Sequence, residues 1–368
     1  MVRAAPPRVN SSSFRACGCA NLKKCCSLEV RRERFAAAPK HPYMQIKILG
    51  SAAGGGFPQW NCACANCAAV RAGTFSGKSR TQAQVAVSGD GKSWYLLGAS
   101  PDLRAQIEAT AALHPSVGVR ESPICGVVLT SADLDHVLGL LLLRELQPLQ
   151  VFATSSVLGI LRDDNSFFRM LNRIPQQVDW NQFVPGGEFE PFAMGVGTNV
   201  RTNVGTNAGS SMVQSGLVCT AISLGTRYPA YVRAERAELF QPEEAVTGLI
   251  VKSASGKSFA YLSAVGEIDE ALLAALDKVD VLLFDGTFWS DDELIRVDSS
   301  GATARQMGHI PVGGPDGSLR QLAVLKKTRK IFIHINNTNP MLNEAGAEYG
   351  AVREAGWEIA EDGWQFTL

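Results

Sequence analysis

With 368 residues, 46% of them hydrophobic and 19% charged, the chain is long enough to bury a substantial core as one large domain or two smaller ones. Its formal net charge of zero leaves no electrostatic footprint for nucleic acid or an anionic membrane. No apolar stretch approaches the roughly 20 residues of a bilayer span, and nine cysteines, an odd number with three packed together, suit reduced thiols or a metal site; a soluble, cytoplasmic protein is expected.

Residues 1–43 differ in character from the rest. They are rich in Arg and Lys, broken by Pro6 and Pro7, and carry Cys17, Cys19, Cys25 and Cys26 without the continuous apolar region of a secretory signal. They read as a basic, disordered extension or an upstream over-extension of the reading frame, with a basic targeting arm as the alternative. One domain is expected from 44 to 368, opening with the strand MQIKILGS. The loop Gly50–Pro58 after that strand lacks G-x-G-x-x-G spacing, and Pro58 stands where a phosphate-binding helix would begin. A tight turn that brings backbone close to a neighbouring site is the better use of its glycines.

Cys62, Cys64 and Cys67 then form C-x-C-x-x-C. Three thiolates so close in sequence can share one tetrahedral Zn(II), with the fourth ligand coming from elsewhere. A structural zinc that pins the loop after the first strand is expected. TQAQVAVS, Gly89-Asp90-Gly91 and SWYLLGAS read as a hairpin, followed by a helix from Pro101.

The apolar strand CGVVLT ends in SADLDH, and VLGLLLLREL continues at helical spacing. Asp133, Asp135 and His136 thus stand at a strand's carboxyl end and a helix N-terminus, a donor set for a divalent metal. VFATS is a further strand. The Gly/Thr/Asn/Ser stretch at 197–216 cannot bury enough apolar surface to order itself and reads as a mobile loop. Strands return as CTAISL, TGLIVKS and SFAYLS, then a helix DEALLAALDKV, then the strands DVLLFDGT and KIFIHIN. Asp285 and His334 sit where the last two give way to loops, the usual place for site residues on α/β scaffolds. Singly, such an Asp is also a turn former and such a His a core residue.

The order strand, x-x-D-x-D-H, Asp-Gly-Thr after a strand and a strand-borne His resembles the metallo-β-lactamase fold, a four-layer αββα sandwich of mixed sheets. GSAAGGGFPQWNCACANC, LDHVLGLLLLRE, FDGTFW, MGHIP and HINNTNP resemble the motifs of the coenzyme PQQ biosynthesis protein B family over Met44–Leu368. The hydrolases of the wider superfamily usually show H-x-H-x-D-H; here the two leading His positions are Ser131 and Asp133, and no histidine lies between His136 and His309. One metal site has lost its imidazoles. The other keeps Asp135, His136 and His334, with Asp285 at the place of the carboxylate that bridges metals in the relatives. Two imidazoles and a carboxylate with open positions suit Fe(II) and O₂ chemistry.

The resemblance implies an iron-dependent oxygenase that uses O₂ to hydroxylate the tyrosine-derived ring of a Glu–Tyr crosslinked precursor of pyrroloquinoline quinone (PQQ), cut from a ribosomal peptide. Asp133 would bind a second metal or hydrogen-bond metal-bound water. His309, in a Gly/Pro-framed loop, suits a proton donor or substrate contact, and Arg80 and Arg227 are candidates for the substrate carboxylates. A carrier taking PQQ or its precursor to the periplasm and a metal-dependent hydrolase are the alternatives. Zn is an alternative occupant of the iron site. Contacts with other PQQ-pathway proteins and a homodimer stay open. In a related phosphodiesterase branch a His closes a similar cysteine triad; Asn337, a poor zinc ligand, stands at that place here.

Overall fold

A computed structural model describes residues 43–116, 119–175, 177–194, 212–299 and 301–368. Sixteen strands are found among them. The first half carries β1 (Gln45–Gly50), β2 (Gln84–Ser88), β3 (Trp94–Leu97), β4 (Ile124–Val128), β5 (Leu149–Thr154), β6 (Val178–Phe183), β7 (Glu188–Phe189) and β8 (Phe192–Met194). The second carries β9 (Met212–Gln214), β10 (Leu217–Gly225), β11 (Val246–Ser253), β12 (Ser258–Leu262), β13 (Val281–Asp285), β14 (Arg329–Ile333), β15 (Trp357–Ile359) and β16 (Gln365–Thr367).

They form two seven-stranded sheets, in the orders β16-β1-β2-β3-β4-β5-β6 and β15-β14-β13-β12-β11-β10-β7, with β8 and β9 as a separate pair. Each sheet is mixed. β3 to β6 are parallel and β16 to β3 antiparallel; β12 to β15 are parallel and β7 to β12 antiparallel.

Strand alternation builds three apolar layers. Tyr95 and Leu97 of β3 face Leu249, Tyr261 and Leu283 of the other sheet, forming the central core. Their neighbours Trp94 and Leu96 point outward onto Leu103, Val137 and Leu140. On the far side Leu262, Leu282 and Phe284 bury Leu272 and Leu276 of the helix Glu270–Leu276, which Asp269 caps by accepting from Leu272 N at 2.7 Å. Strands covered on both faces read as unbroken apolar runs, which is why they are visible in the sequence. The result is the four-layer αββα sandwich. Among the described residues no helix is long and apolar enough to cross a membrane.

Two expectations are corrected. The segment after Asp133 is one α-helical turn, Leu134–Val137, followed by a 3₁₀ run over Leu138–Leu143, and not a continuous helix. The loop after β3 competes for its backbone: Ala99 N–H donates to His136 O (2.7 Å) and Gly139 N–H to Ala99 O (2.8 Å). A Cβ at Gly139 would lie 2.2 Å from Ser100 O, so this approach needs glycine. The stretch expected to be a loop at 197–216 contributes β9, which pairs antiparallel with β8; its residues 197–211, like 1–42 of the basic extension, lie outside the described residues.

Candidate metal centre and cavity

The site lies where the two sheets meet at their strand ends. Asp285 ends β13 and pairs in register with Ile333, the last residue of β14, which sets His334 beside it. Ser131 after β4 bridges Val246, and Ala52 of the glycine loop bridges Ile335. His334 has a left-handed backbone, φ +59°, a conformation that costs a non-glycine residue of order 1 kcal/mol and marks a constrained position.

Asp135, His136 and His334 converge. Asp135 Oδ2 lies 3.0 Å from His334 Nε2 and 3.7 Å from His136 Nε2. Ligand atoms about 2.1 Å from one ion and 90–120° apart are separated by about 3.0–3.6 Å, so these three atoms fit a single divalent metal. Burial disfavours the charge on Asp135, but His136 and His334 outweigh it and hold its carboxyl well below the usual carboxylate range. Burial pulls the His136 imidazole down, toward the neutral form a metal needs. Gly98, at φ +82°, backs that ring: a Cβ there would stand 3.3 Å from Nδ1.

His309 joins the cluster. Its Nδ1 is 2.7 Å from Asp285 Oδ2, and its ring stacks on His334 with centroids 5.6 Å apart. Asp285, His309 and His334 each offer a ligand atom within 4.8 Å of one another, so a second ion could be held there. Burial opposes protonation of His309, but the Asp285 carboxylate prevails and raises its pKa. Asp285 is itself lowered: burial works against its charge, and His309 overcomes that. Sequence offered His309 as a proton donor or substrate contact but not its Asp285 partner, which is 24 positions away.

Other expected residues separate. Asp133 lines the cavity, but its Oδ2 accepts from Ser131 Oγ at 2.8 Å, and it belongs to neither ligand group. Arg227 lines the cavity and is exposed. Arg80 does not. It is buried, donates to Ser51 Oγ (3.1 Å) and to Ala360 O, and faces Asp362. The assignment of Arg80 to substrate is therefore corrected: it ties the glycine loop to the C-terminal segment. Ala53 and Gly54 of that loop do line the cavity, as a close-approach turn should. Thr287, quoted in the Asp-Gly-Thr signature but given no role, proves to touch both Asp285 and His334. The whole cavity measures about 940 Å³ and adds the apolar walls Ile222, Leu224, Tyr228 and Phe288.

The cysteines form a second cluster. Cys64 precedes the helix Ala65–Arg71 and Cys67 sits on it, placing the Sγ atoms of Cys62, Cys64 and Cys67 within 4.8 Å of one another. Zn–S bonds of about 2.3 Å require sulfurs about 3.8 Å apart, so the donor set fits Zn(II). Asn337 Nδ2 faces all three sulfurs at 3.2, 3.7 and 3.3 Å. Its amide occupies the fourth corner, and rotation about its last bond would turn Oδ1 toward an ion. Burial pushes the Cys64 thiol up to about 11, while at Cys62 burial is outweighed by the Cys64 N–H and the neighbouring groups, which pull it down.

The β-lactamase superfamily domain model matches residues 93–335. The coenzyme PQQ synthesis protein B of Methylobacterium sp. (strain 4-46) is 40% identical over 325 residues, covering 88% of this chain and 100% of that protein. That of Methylococcus capsulatus is 39% identical, with the same coverage. The chain belongs to the coenzyme PQQ synthesis protein B family. The crystal structure of Zn²⁺-bound PqqB from Methylobacterium extorquens superposes with a TM-score of 0.77 at 38% identity, covering 88% of this chain and all of that one. A diphosphatase of the PhnP family, at 20% identity and TM-score 0.57, covering 89% and 97%, shares the fold. In this chain Asp135, His136 and His334 sit on that sandwich and line the large cavity.

Proposed function

We propose that this protein acts in PQQ biosynthesis as an Fe(II)-dependent hydroxylase, adding oxygen from O₂ to the tyrosine-derived ring of a Glu–Tyr crosslinked precursor. The convergence of one carboxylate and two imidazoles on a single point beside the cavity carries the reading, because that set leaves coordination positions open. Family membership supplies the pathway. Fe(II), held by Asp135, His136 and His334, would supply activation of O₂. His309, oriented by Asp285 and lining the cavity, would exchange a proton with the substrate phenol. Arg227 would bind a substrate carboxylate, and Ile222, Leu224 and Phe288 would exclude water around the ring. The cysteine cluster would hold a structural Zn(II). The proposal places the protein in the cytoplasm, acting on a small peptide-derived molecule and not on nucleic acid or a membrane.

The test loads metal-free protein anaerobically with Fe(II) or Zn(II) and measures metal content and O₂ uptake on a Glu–Tyr-like substrate. Only the iron form should turn over; His136→Ala and His334→Ala should abolish iron binding and turnover, and Ser131→Ala should be mild. Equal turnover by the zinc form, or full oxidation by His136→Ala, would refute the oxygenase. Ligand retention without turnover would point to a carrier.

A further inference from the structure

Thr287 lies between two buried members of the cluster, Asp285 and His334. Its Oγ1 is 2.6 Å from Asp285 Oδ1, 2.8 Å from His334 Nδ1 and 2.9 Å from His334 O. A hydroxyl has one proton to give. Directed at His334, it would leave two oxygens 2.6 Å apart with no proton between the hydroxyl and the carboxylate. The charged Asp285 oxygen is also the stronger and nearer acceptor, the neutral His334 carbonyl the weaker one. The Thr287 proton therefore belongs to Asp285, and the Thr287 oxygen facing His334 Nδ1 can only accept. That ring nitrogen must carry hydrogen.

Asp285 has no lone pair left over. Oδ2 accepts from Val265 N–H (2.9 Å) and His309 Nδ1 (2.7 Å), and Oδ1 from Thr287 N–H (3.0 Å) and the Thr287 hydroxyl. A carboxylate offers about four acceptor directions. The residue is fully buried. The backbone around Thr287 is fixed to the same loop, since Asn336 N–H donates to Thr287 O at 3.0 Å.

We infer that Thr287 is a positioning residue: a hydroxyl relay from Asp285 that holds His334 in its Nδ1–H form, leaving Nε2 as the ligand atom beside Asp135. Asp285 then anchors two imidazoles, His309 directly and His334 through Thr287. This rests on the metal-centre reading of Asp135, His136 and His334. Orienting partners of this kind typically change metal affinity by about 10–100-fold when removed.

The test has two arms. Co(II) titration of metal-free wild type, Thr287→Ser and Thr287→Val should show the serine variant within about threefold of wild type and the valine variant about 10–100-fold weaker. Equal affinity in Thr287→Val, or equal weakness in Thr287→Ser, would overturn the relay. Separately, long-range ¹H–¹⁵N spectra of metal-free wild type near pH 8, with His334 assigned by comparison with His334→Asn, should show the Nδ1–H tautomer. An Nε2–H tautomer there overturns the relay whether or not Thr287→Val folds. His136→Ala separates the two ideas: if it leaves Co(II) affinity unchanged the metal site is wrong, while the tautomer still decides the relay.

Discussion

Glu293 begins the helix Glu293–Val297 and is buried, its Oε2 accepting from Trp289 N–H at 2.6 Å and its Oε1 from Thr338 Oγ1. Burial pushes its carboxyl from the ordinary 4.5 up to about 7, more than these hydrogen bonds draw it down. A carboxyl whose folded-state pKa exceeds its unfolded value binds its proton more tightly when folded. Its contribution is complete below about pH 4.5 and is lost as pH rises toward 7, above which it stays lost. At ~1.4 kcal/mol per pH unit, the interval from 4.5 to about 7 corresponds to about 3 kcal/mol. Glu293→Gln removes the ionisation and can keep both contacts, its amide oxygen accepting from Trp289 and its amide nitrogen donating to the Thr338 oxygen. The variant should match wild type near pH 4.5 and be more stable by about 3 kcal/mol at pH 8. Denaturant unfolding followed by circular dichroism at both pH values reads this difference, with other titrating groups common to both proteins. A stability difference that does not change with pH, or a variant less stable at pH 8, would refute the reasoning.

Cys64→Ser should release one tightly held zinc and lower the unfolding temperature, because structural metal binding adds folding free energy; zinc content and a melting curve check it, and unchanged zinc would remove the site. The two arginines should behave oppositely. Arg80→Ala should cost about 2–3 kcal/mol of stability through lost buried hydrogen bonds, read by denaturant midpoints. Arg227→Ala should stay within about 0.5 kcal/mol of wild type but raise KM for a carboxylate-bearing substrate about tenfold, with the reverse pattern counting against both placements.

The sheets were legible because strands covered on both faces carry continuous apolar residues, and Asp135, His136, Asp285 and His334 were legible because each closes such a run. What sequence could not convey was pairing over distance. Arg80 looked like a substrate ligand because it follows the cysteine loop, yet its carbonyl partner Ala360 is 280 positions away. Thr287 acquires its role only when β13 and β14 lie side by side and bring His334 within its reach, and His309, offered as a proton donor or substrate contact, finds its carboxylate partner Asp285 only in the fold. The helix expected after His136 fails for a similar reason: propensity favours it, but the loop after β3 claims the His136 carbonyl.

β1, the earliest strand described, is flanked in its sheet by β2 and by β16, the latest. Met44 N–H donates to Leu368 O at 2.7 Å, and Leu368 N–H to Met44 O at 2.9 Å. During synthesis, one side of β1 finds its neighbour about forty residues later, while the other waits until residues 365–367 leave the ribosome. Until then it presents unpaired peptide groups to any passing chain, so a nascent form, or one that lacks β16, is open to intermolecular strand addition along the edge that β16 covers once it pairs.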